Sequence, residues 1–364
     1  MTTTRTAIGC MTGTSLDGLD VAAMRVDIAN DITTASPRIE YLAGRSTSLG
    51  HVAKSLRSLA SGQRLNAAEI TEAAHGLAQV HADAIAPLAS THPPDLIALH
   101  GQTVFHAPPH SWQLMNPWPV AQQFACPVIT DLRGADLAAG GQGAPITPLA
   151  DWAFFRSPTE SRCVVNLGGF CNLSHLAASA PPEAVTARDV CACNQLLDAI
   201  AHESMRTPFD RDGAVAESGV PNTTIVQQLE AALAGQHAAH RSLGSGDELQ
   251  SLAAALARRT EAPELAASGC VAIARVIATA IESRTDRVLL AGGGIHNRRL
   301  LAELTAAIAA PCESTDGFGV PATYREAAAI ALLGSLARDG IPITLQQVTG
   351  RGQRVARPGV WVEP

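Results

Sequence analysis

Two stretches of this chain read as the same supersecondary unit. Residues 6–26 run TAIGCM, a turn TGTSLDG, then LDVAAMRV, and residues 162–176 run RCVVNLGGFCNLSHL. Each is an apolar strand, a glycine-bearing turn and a second strand, the pattern of a β-hairpin. In the first, Asp17-Gly18 is the turn dipeptide. The first hairpin is followed by a third strand, IEYLAGRSTSL, and a helix from about Ala67 to Ala89. In that helix Ile70, Ala73, Leu77, Val80, Ala84 and Leu88 recur at helical spacing, and Asn66 with Glu69 forms its start signal. Two buried strands, PDLIALH and PVITD, come next. The second hairpin is followed by helices around 194–204, 222–234, 247–259 and 264–283. Then come the strand DRVLLAGGG, the helix NRRLLAELTAAIA and a last helix from about Arg325 to Arg338. Such a repeat constrains the chain to an α/β class with two duplicated halves, whose ligands are expected at strand ends and between lobes. A length of 364 residues suits two domains.

Composition narrows the function classes. Hydrophobic residues make up 46% and charged residues 16%, which excludes a disordered chain. The net charge is −7 and no basic run tracks a phosphate backbone, so nucleic acid is not the expected partner. The start, MTTTRTAIGCMTGTS, lacks the apolar stretch of a signal peptide, and no uninterrupted run of about 18 apolar residues marks a membrane helix. The expectation is a cytoplasmic protein with no membrane partner. The eight cysteines form no CxxC pair and no zinc spacing, and are expected to be free, mostly buried thiols.

Chemistry concentrates at strand ends. In GCMTGTSLDGLD, Gly13 and Gly18 allow close backbone approach to an anion, and Thr12, Thr14 and Ser15 bring hydroxyls to phosphate oxygens. Asp17 and Asp20 would repel phosphate unless a divalent cation lies between. A turn that needs glycine and aspartate for geometry alone is the competing account. NLGGFCNL is a second glycine turn. AGGGIHN follows a buried strand and suits a flat ring or a phosphate, though it lacks the G-x-G-x-x-G spacing. HGQTVFH sets His100, Gln102 and Thr103 just past a strand end, where they suit sugar hydroxyls, with His106 read as solvated. Arg133 and Asp136 either clamp a polar substrate or pair with each other. Asp189, after a strand and before a helix, fits a general base; Asn194 is the better helix cap. Glu326 has a structural account in a Thr323-x-x-Glu326 capping box.

Together, GxMTGTSLDGLD, HGQTxxH, DLRxxDxAxGGQGAP, NLGGFxNL, GGGIHN, the late REA helix start and the C-terminal QVTG resemble the anhydro-N-acetylmuramic acid kinases, in family order from residue 8 to about 350. The resemblance implies the sugar kinase/Hsp70/actin fold, two duplicated lobes with a central interlobe cleft. The lobes are expected at 1–130 with about 337–364, and at 131–336. It further implies that Gly13, Thr14, Ser15, Leu16, Asp17, Gly18, Leu19 and Asp20 take the phosphates of ATP with Mg²⁺. Asn166, Gly168 and Gly169 form a second phosphate loop, and Gly292, Gly293, Gly294 and Asn297 lie near adenosine. His100, Gln102, Thr103, Arg133 and Asp136 line the sugar site, Asp189 is the catalytic base and Glu326 lies near the metal. The implied reaction opens the anhydro bridge with water and phosphorylates O6, in a cytoplasmic homodimer.

Three positions depart from the family pattern. Asp189-Val190-Cys191-Ala192-Cys193-Asn194 stands where the family carries D-T-G-P-G-N; a cysteine at a left-handed glycine position would cost about 1–3 kcal/mol. Met115-Asn116 replaces a glycine and an acid, and Thr323 stands where an aspartate is common. The altered loop is expected to follow another path, which could displace Asp189. Alternatives that stay open are a kinase for another anhydro or free sugar and a catalytically impaired binding relative.

Overall fold

A computed structural model describes residues 2–13, 16, 18–29, 37–238, 241–244 and 246–364. The first seven strands are β1 (Thr2–Thr12), β2 (Leu19–Ala29), β3 (Arg38–Thr47), β4 (Leu96–Leu99), β5 (Gln102–Ala107), β6 (His110–Leu114) and β7 (Val128–Thr130). The next five are β8 (Arg162–Leu167), β9 (Phe170–Leu176), β10 (Thr186–Ala192), β11 (Arg287–Ala291) and β12 (Cys312–Ser314), and β13 (Val360–Val362) ends the chain. One sheet runs β13-β7-β4-β1-β2-β3 and another β10-β9-β8-β11-β12. In both, the first strand is flanked by two antiparallel strands on one side and two parallel strands on the other, and the first sheet adds β13, antiparallel to β7, at its edge. The duplication read from the two hairpins is therefore a duplicated sheet topology. Sequential connections make the β1–β2, β2–β3, β8–β9 and β9–β10 antiparallel pairs; the parallel pairs need crossovers, and the helix Ala67–Thr91 lies in the one between β3 and β4. That helix starts with the expected capping box, Asn66 Oδ1 accepting from the Glu69 amide and Glu69 accepting from the Asn66 amide.

The chain divides into unit 1 (Met1–Phe155, Ala180–Val185, Phe318–Pro364) and unit 2 (Arg156–Ser179, Thr186–Gly317). The sequence boundaries differ: residues 131–155 and the helix Arg325–Arg338 belong to unit 1. Two features explain it. A Cβ on Gly9 would sit 2.1 Å from the Ala327 carbonyl oxygen, so glycine in β1 lets this helix lie against the sheet. At its start, buried Arg325 donates from Nε to Asp151 Oδ1 at 2.8 Å and from Nη2 to Thr147 Oγ1 at 3.0 Å, tying it to the helix Pro148–Phe155. The helix begins after Tyr324 with no side-chain cap, and Thr323 is exposed, so the expected Thr323–Glu326 capping box does not form.

Each unit has its own core. Ile8, Val21, Leu77, Ile85 and Ile97 fill unit 1; Val165, Leu173, Leu196, Leu265 and Leu290 fill unit 2. The helix Ala262–Ala280 is long and apolar enough to cross a membrane by length and composition, yet it lays Leu265, Ile273 and Ile277 into the unit 2 core.

Candidate functional site

In unit 1 the parallel β1–β4 pairing carries the first hairpin turn to the HGQT segment. The Thr12 hydroxyl donates to the Gly101 carbonyl at 2.9 Å, and the Gln102 side-chain amide faces the Gly13 and Thr103 carbonyls at 3.5 and 3.2 Å. Gln102 is fully buried and its Oε1 has no hydrogen-bond partner among the described residues. A buried acceptor of this kind carries a desolvation cost that a ligand donor would relieve. Thr103 is half-buried, with Oγ1 accepting from Gln113 Nε2 at 3.5 Å. Arg133 donates from Nε and Nη2 to His100 Nε2 at 3.2 and 3.0 Å, and from Nη1 to the Gly143 carbonyl at 2.8 Å. His100 Nδ1 faces the Gly101 carbonyl at 2.9 Å, so Nδ1 carries the proton and Nε2 accepts. Burial, then the Arg133 charge, pushes this imidazole down to about 3, keeping it neutral. His106, expected in solvent, is buried against Ser111 and is likewise pushed down to about 4 by burial and Arg133.

Two acids belong to the same cluster. Asp20, at the start of β2, accepts from Ser46 and is raised by burial despite that bond. Glu326, half-buried in the first helical turn, is raised by burial and by the Asp20 charge, against the lowering effect of Arg325 and Arg133. Their shared surplus of negative charge suits a hard cation bound through oxygen.

Not every expected unit 1 residue faces a ligand. Asp136 is 1% exposed, and its oxygens accept from Gly143 N–H and Thr349 Oγ1 at 2.8 and 2.7 Å; it braces a loop instead of clamping substrate. Leu16 and Leu19 send their side chains into the core, leaving only backbone for a phosphate. Gly18 is required sterically, since its Cβ would lie 2.8 Å from the Thr47 carbonyl oxygen. Thr14, Ser15 and Asp17 lie outside the described residues.

Unit 2 knits its glycine turns together through backbone. Asn194 donates from Nδ2 to the Leu167 carbonyl at 3.0 Å and from its amide to the Gly168 carbonyl at 3.1 Å; Cys193 and Gln195 amides donate to Gly169 at 2.9 and 3.1 Å. Asn194 is thus a turn brace, and not the expected cap of the helix Asn194–Met205. Gly292, at φ 86°, lies under Asn166: a Cβ there would meet Asn166 Oδ1 and the Leu167 carbonyl oxygen, each at 2.8 Å. Asn166 is buried and its Oδ1 has no partner among the described residues. Gly293 and Gly294 open the 3-10 turn Gly293–His296. Asn297 Oδ1 caps the next helix by accepting from the Leu300 amide at 3.0 Å, which commits it to structure.

Asp189 lies inside β10, opposite Asn172, and the register shifts between Asp189 and Cys191. Such a bulge bends a strand and re-aims its side chains. Asp189 is half-buried and its Oδ2 accepts the Leu243 amide at 2.8 Å. The loop's expected strain is absent: none of residues 190–193 has a positive φ, and Cys193 sits at φ −118°. The strand continues through Cys191, which pairs across from Cys171, and Gln236 Oε1 accepts the Ala192 amide at 2.8 Å. Burial pushes the Cys191 thiol up to about 12, and Cys171 and Cys193 are raised well above the ordinary thiol range, so these thiols stay protonated. No group of three or more metal-binding side chains occurs among the described residues.

Sequence reasoning missed several contributors. Leu243 acts through its backbone, which no side-chain pattern announces. Gly213 lies against Asn297, where a Cβ would come 2.1 Å from Oδ1, joining the Phe209–Gly213 turn to the AGGGIHN loop. The FDRDG run between two helices is the signal that could have marked it.

A duplicated α/β sheet with glycine turns and acids at its strand ends belongs to the class of α/β folds that bind ligands at those ends. The sequence profile described as "Anhydro-N-acetylmuramic acid kinase" matches residues 5–360, and this chain belongs to that family. A relative of that name from Salinibacter ruber is 33% identical over 96% of this chain and 94% of its own length. One from Bordetella pertussis is 36% identical, also over 96% and 94%. Among solved structures, the activator of the 2-hydroxyisocaproyl-CoA dehydratase from Clostridium difficile is similar at 12% identity and TM-score 0.42, over 90% of this chain and 93% of that one. A ROK family glucokinase from Streptomyces griseus is similar at 13% and 0.37, over 90% and 98%.

Proposed function

We propose that this chain is an ATP-dependent kinase that opens 1,6-anhydro-N-acetylmuramic acid with water and phosphorylates O6, giving N-acetylmuramic acid 6-phosphate. The observation that carries the reading is family membership over nearly the whole chain, joined to an aspartate aimed by a strand bulge and an amide hydrogen bond. Asp189 takes a proton from water as the water adds to the anomeric carbon, the bridge C–O bond breaks, and O6 takes the γ-phosphoryl group of ATP. Gln102 and Arg133 are assigned to the sugar. The backbone around Gly168 and Gly292–Gly294 is assigned to the nucleotide. Asp20 and Glu326 fit Mg²⁺ with its waters, a cation that neutralises phosphate charge when bound. Leu16, Leu19, Asp136 and Asn297 support these groups and do not contact ligand through their side chains.

Family membership also supports a homodimer working in the cytoplasm on recovered cell-wall sugar. Incubating the protein with Mg-ATP and the anhydro sugar, then resolving products by phosphorus NMR and mass spectrometry, tests the reaction. The expected product is the hydrated 6-phosphate. ADP release without phosphorylated sugar, or turnover confined to glucose, would overturn the reading.

A further inference from the structure

The C-terminal QVTG segment makes no contact that the reaction above requires, yet its Thr349 is 1% exposed and hydrogen-bonded to a buried carboxylate. From Thr349 a path of hydrogen bonds, carried across the Gly143 backbone, runs to the guanidinium assigned to the sugar. Thr349 Oγ1 donates to Asp136 Oδ1 at 2.7 Å; Gly143 N–H donates to Asp136 Oδ2 at 2.8 Å; Arg133 Nη1 donates to the Gly143 carbonyl at 2.8 Å. The far side of Arg133 is held by His100 Nε2. We propose that Thr349 and Asp136 are positioning residues that aim Arg133 through the backbone of Gly143, whose N–H and C=O lie in successive peptides.

The chemistry of each link supports the assignment. Both groups facing Asp136 are donors, so the position demands an acceptor at each oxygen; an asparagine would turn an NH₂ toward one of them. The loop is shaped around that carboxylate. A Cβ on Gly141 would sit 2.1 Å from Asp136 Oδ2, and Gly143 holds φ 68°. The Gln142 amide donates to the Thr349 carbonyl at 2.9 Å, and the Gly352 amide to the Ala139 carbonyl at 2.8 Å, so backbone hydrogen bonds tie the C-terminal segment to the loop. Arg351 Nε stands 3.7 Å from Asp136 Oδ1 and supplies the compensating charge. At the other end, neutral His100 accepts from Arg133 without competing for its charge. Arg133 is thus gripped at both ends of a planar fork, which fixes its plane.

The inference rests on Arg133 meeting the sugar, and the test separates the two claims. Steady-state kinetics would compare wild type, Thr349→Val, Thr349→Ser and Asp136→Asn, with the Arg133 Nε–H resonance followed in each by nitrogen-15 NMR. Thr349→Val is expected to raise KM for the anhydro sugar roughly tenfold, the scale of one hydrogen bond to a charged group. KM for ATP should stay within about twofold, and Thr349→Ser should restore the sugar KM. In the same proteins, the Nε–H signal should lose exchange protection in Thr349→Val and keep it in Thr349→Ser. If Thr349→Val lowers Tm while sugar KM and the Arg133 signal are unchanged, the relay is only structural. If wild type turns over no sugar, the proposed function fails, and the NMR comparison alone still decides the relay: an unperturbed Arg133 signal in Thr349→Val and Asp136→Asn overturns it.

Discussion

The two units share a five-strand pattern, to which unit 1 adds β13, and they present different groups at its strand ends. In unit 1 the β1–β2 connection runs from Thr12 to Leu19, and polar side chains gather near these strand ends: Asp20, Glu326, Arg133, Gln102 and a neutral His100. In unit 2 the matching β8–β9 connection is tight, Leu167 pairing with Cys171, and mostly backbone is presented: the Gly168–Gly169 and Gly292–Gly294 turns, beside Asn166 and Asn194, with the Asp189 carboxylate on β10. A duplicated sheet fixes where strand ends lie. It leaves open whether charge or bare peptide is presented there.

The comparison can be broken most directly at Asp189. Asp189→Asn is expected to lower kcat by about 10²–10⁴-fold, the range of a lost general base, while nucleotide affinity measured by calorimetry is unchanged. Unaltered turnover would remove unit 2 from the proton-transfer step. The next effect belongs to unit 1. Arg325→Met strips the partner from buried Asp151 and should cost about 3–5 kcal/mol in urea unfolding, with hydrogen exchange accelerated in unit 1 and not in unit 2. Equal acceleration in both would mean the units do not open separately.

Acid sharpens the contrast. His81, His100 and His106, all in unit 1, are pushed by burial to about 4, 3 and 4, below an unfolded value of about 6.5. The unfolded chain therefore binds more protons between those values. Stability is held above about pH 6.5 and falls as pH drops toward the folded values, by up to about 1.4 kcal/mol per pH unit for each group. Urea midpoints from pH 7 to 4.5 should show that slope, and His100→Gln should flatten it. A pH-independent midpoint would contradict the assigned burial. The smallest effect on turnover is expected at the altered loop. Cys193 already has a negative φ and is fully buried, so Cys193→Gly relieves no strain, empties core volume and should destabilise by about 2–3 kcal/mol, with kcat within about threefold. A large gain in kcat would show that the cysteines hold Asp189 out of register.

Strand–glycine turn–strand, read twice, was enough to anticipate the duplicated sheet, because hairpin turns and alternating strand–helix periods are local signals. The capping box at Asn66 and Glu69 was legible for the same reason, and so were the glycines, whose permitted φ is written in the residue type. The same local logic failed at Thr323–Glu326 and at Asn194, where tertiary partners claimed the helix starts: Asp151 and Thr147 hold Arg325, and the Leu167 carbonyl holds the Asn194 amide. Asp136 and Arg133, close in sequence, looked like one clamp. In the structure Asp136 is a buried brace bonded to the distant Thr349 while Arg133 bonds His100 and the Gly143 carbonyl, and a contact across that much chain leaves no mark in spacing. The path of 190–193 was likewise beyond local reading, because whether a cysteine is strained depends on φ, and φ there follows from pairing with β9. Sequence alone thus determined the repeating architecture, the family and most residue types at the strand ends. Tertiary structure alone decided which of them are buried, which are already hydrogen-bonded, and which keep an atom to offer, since those properties belong to neighbours brought together by the fold.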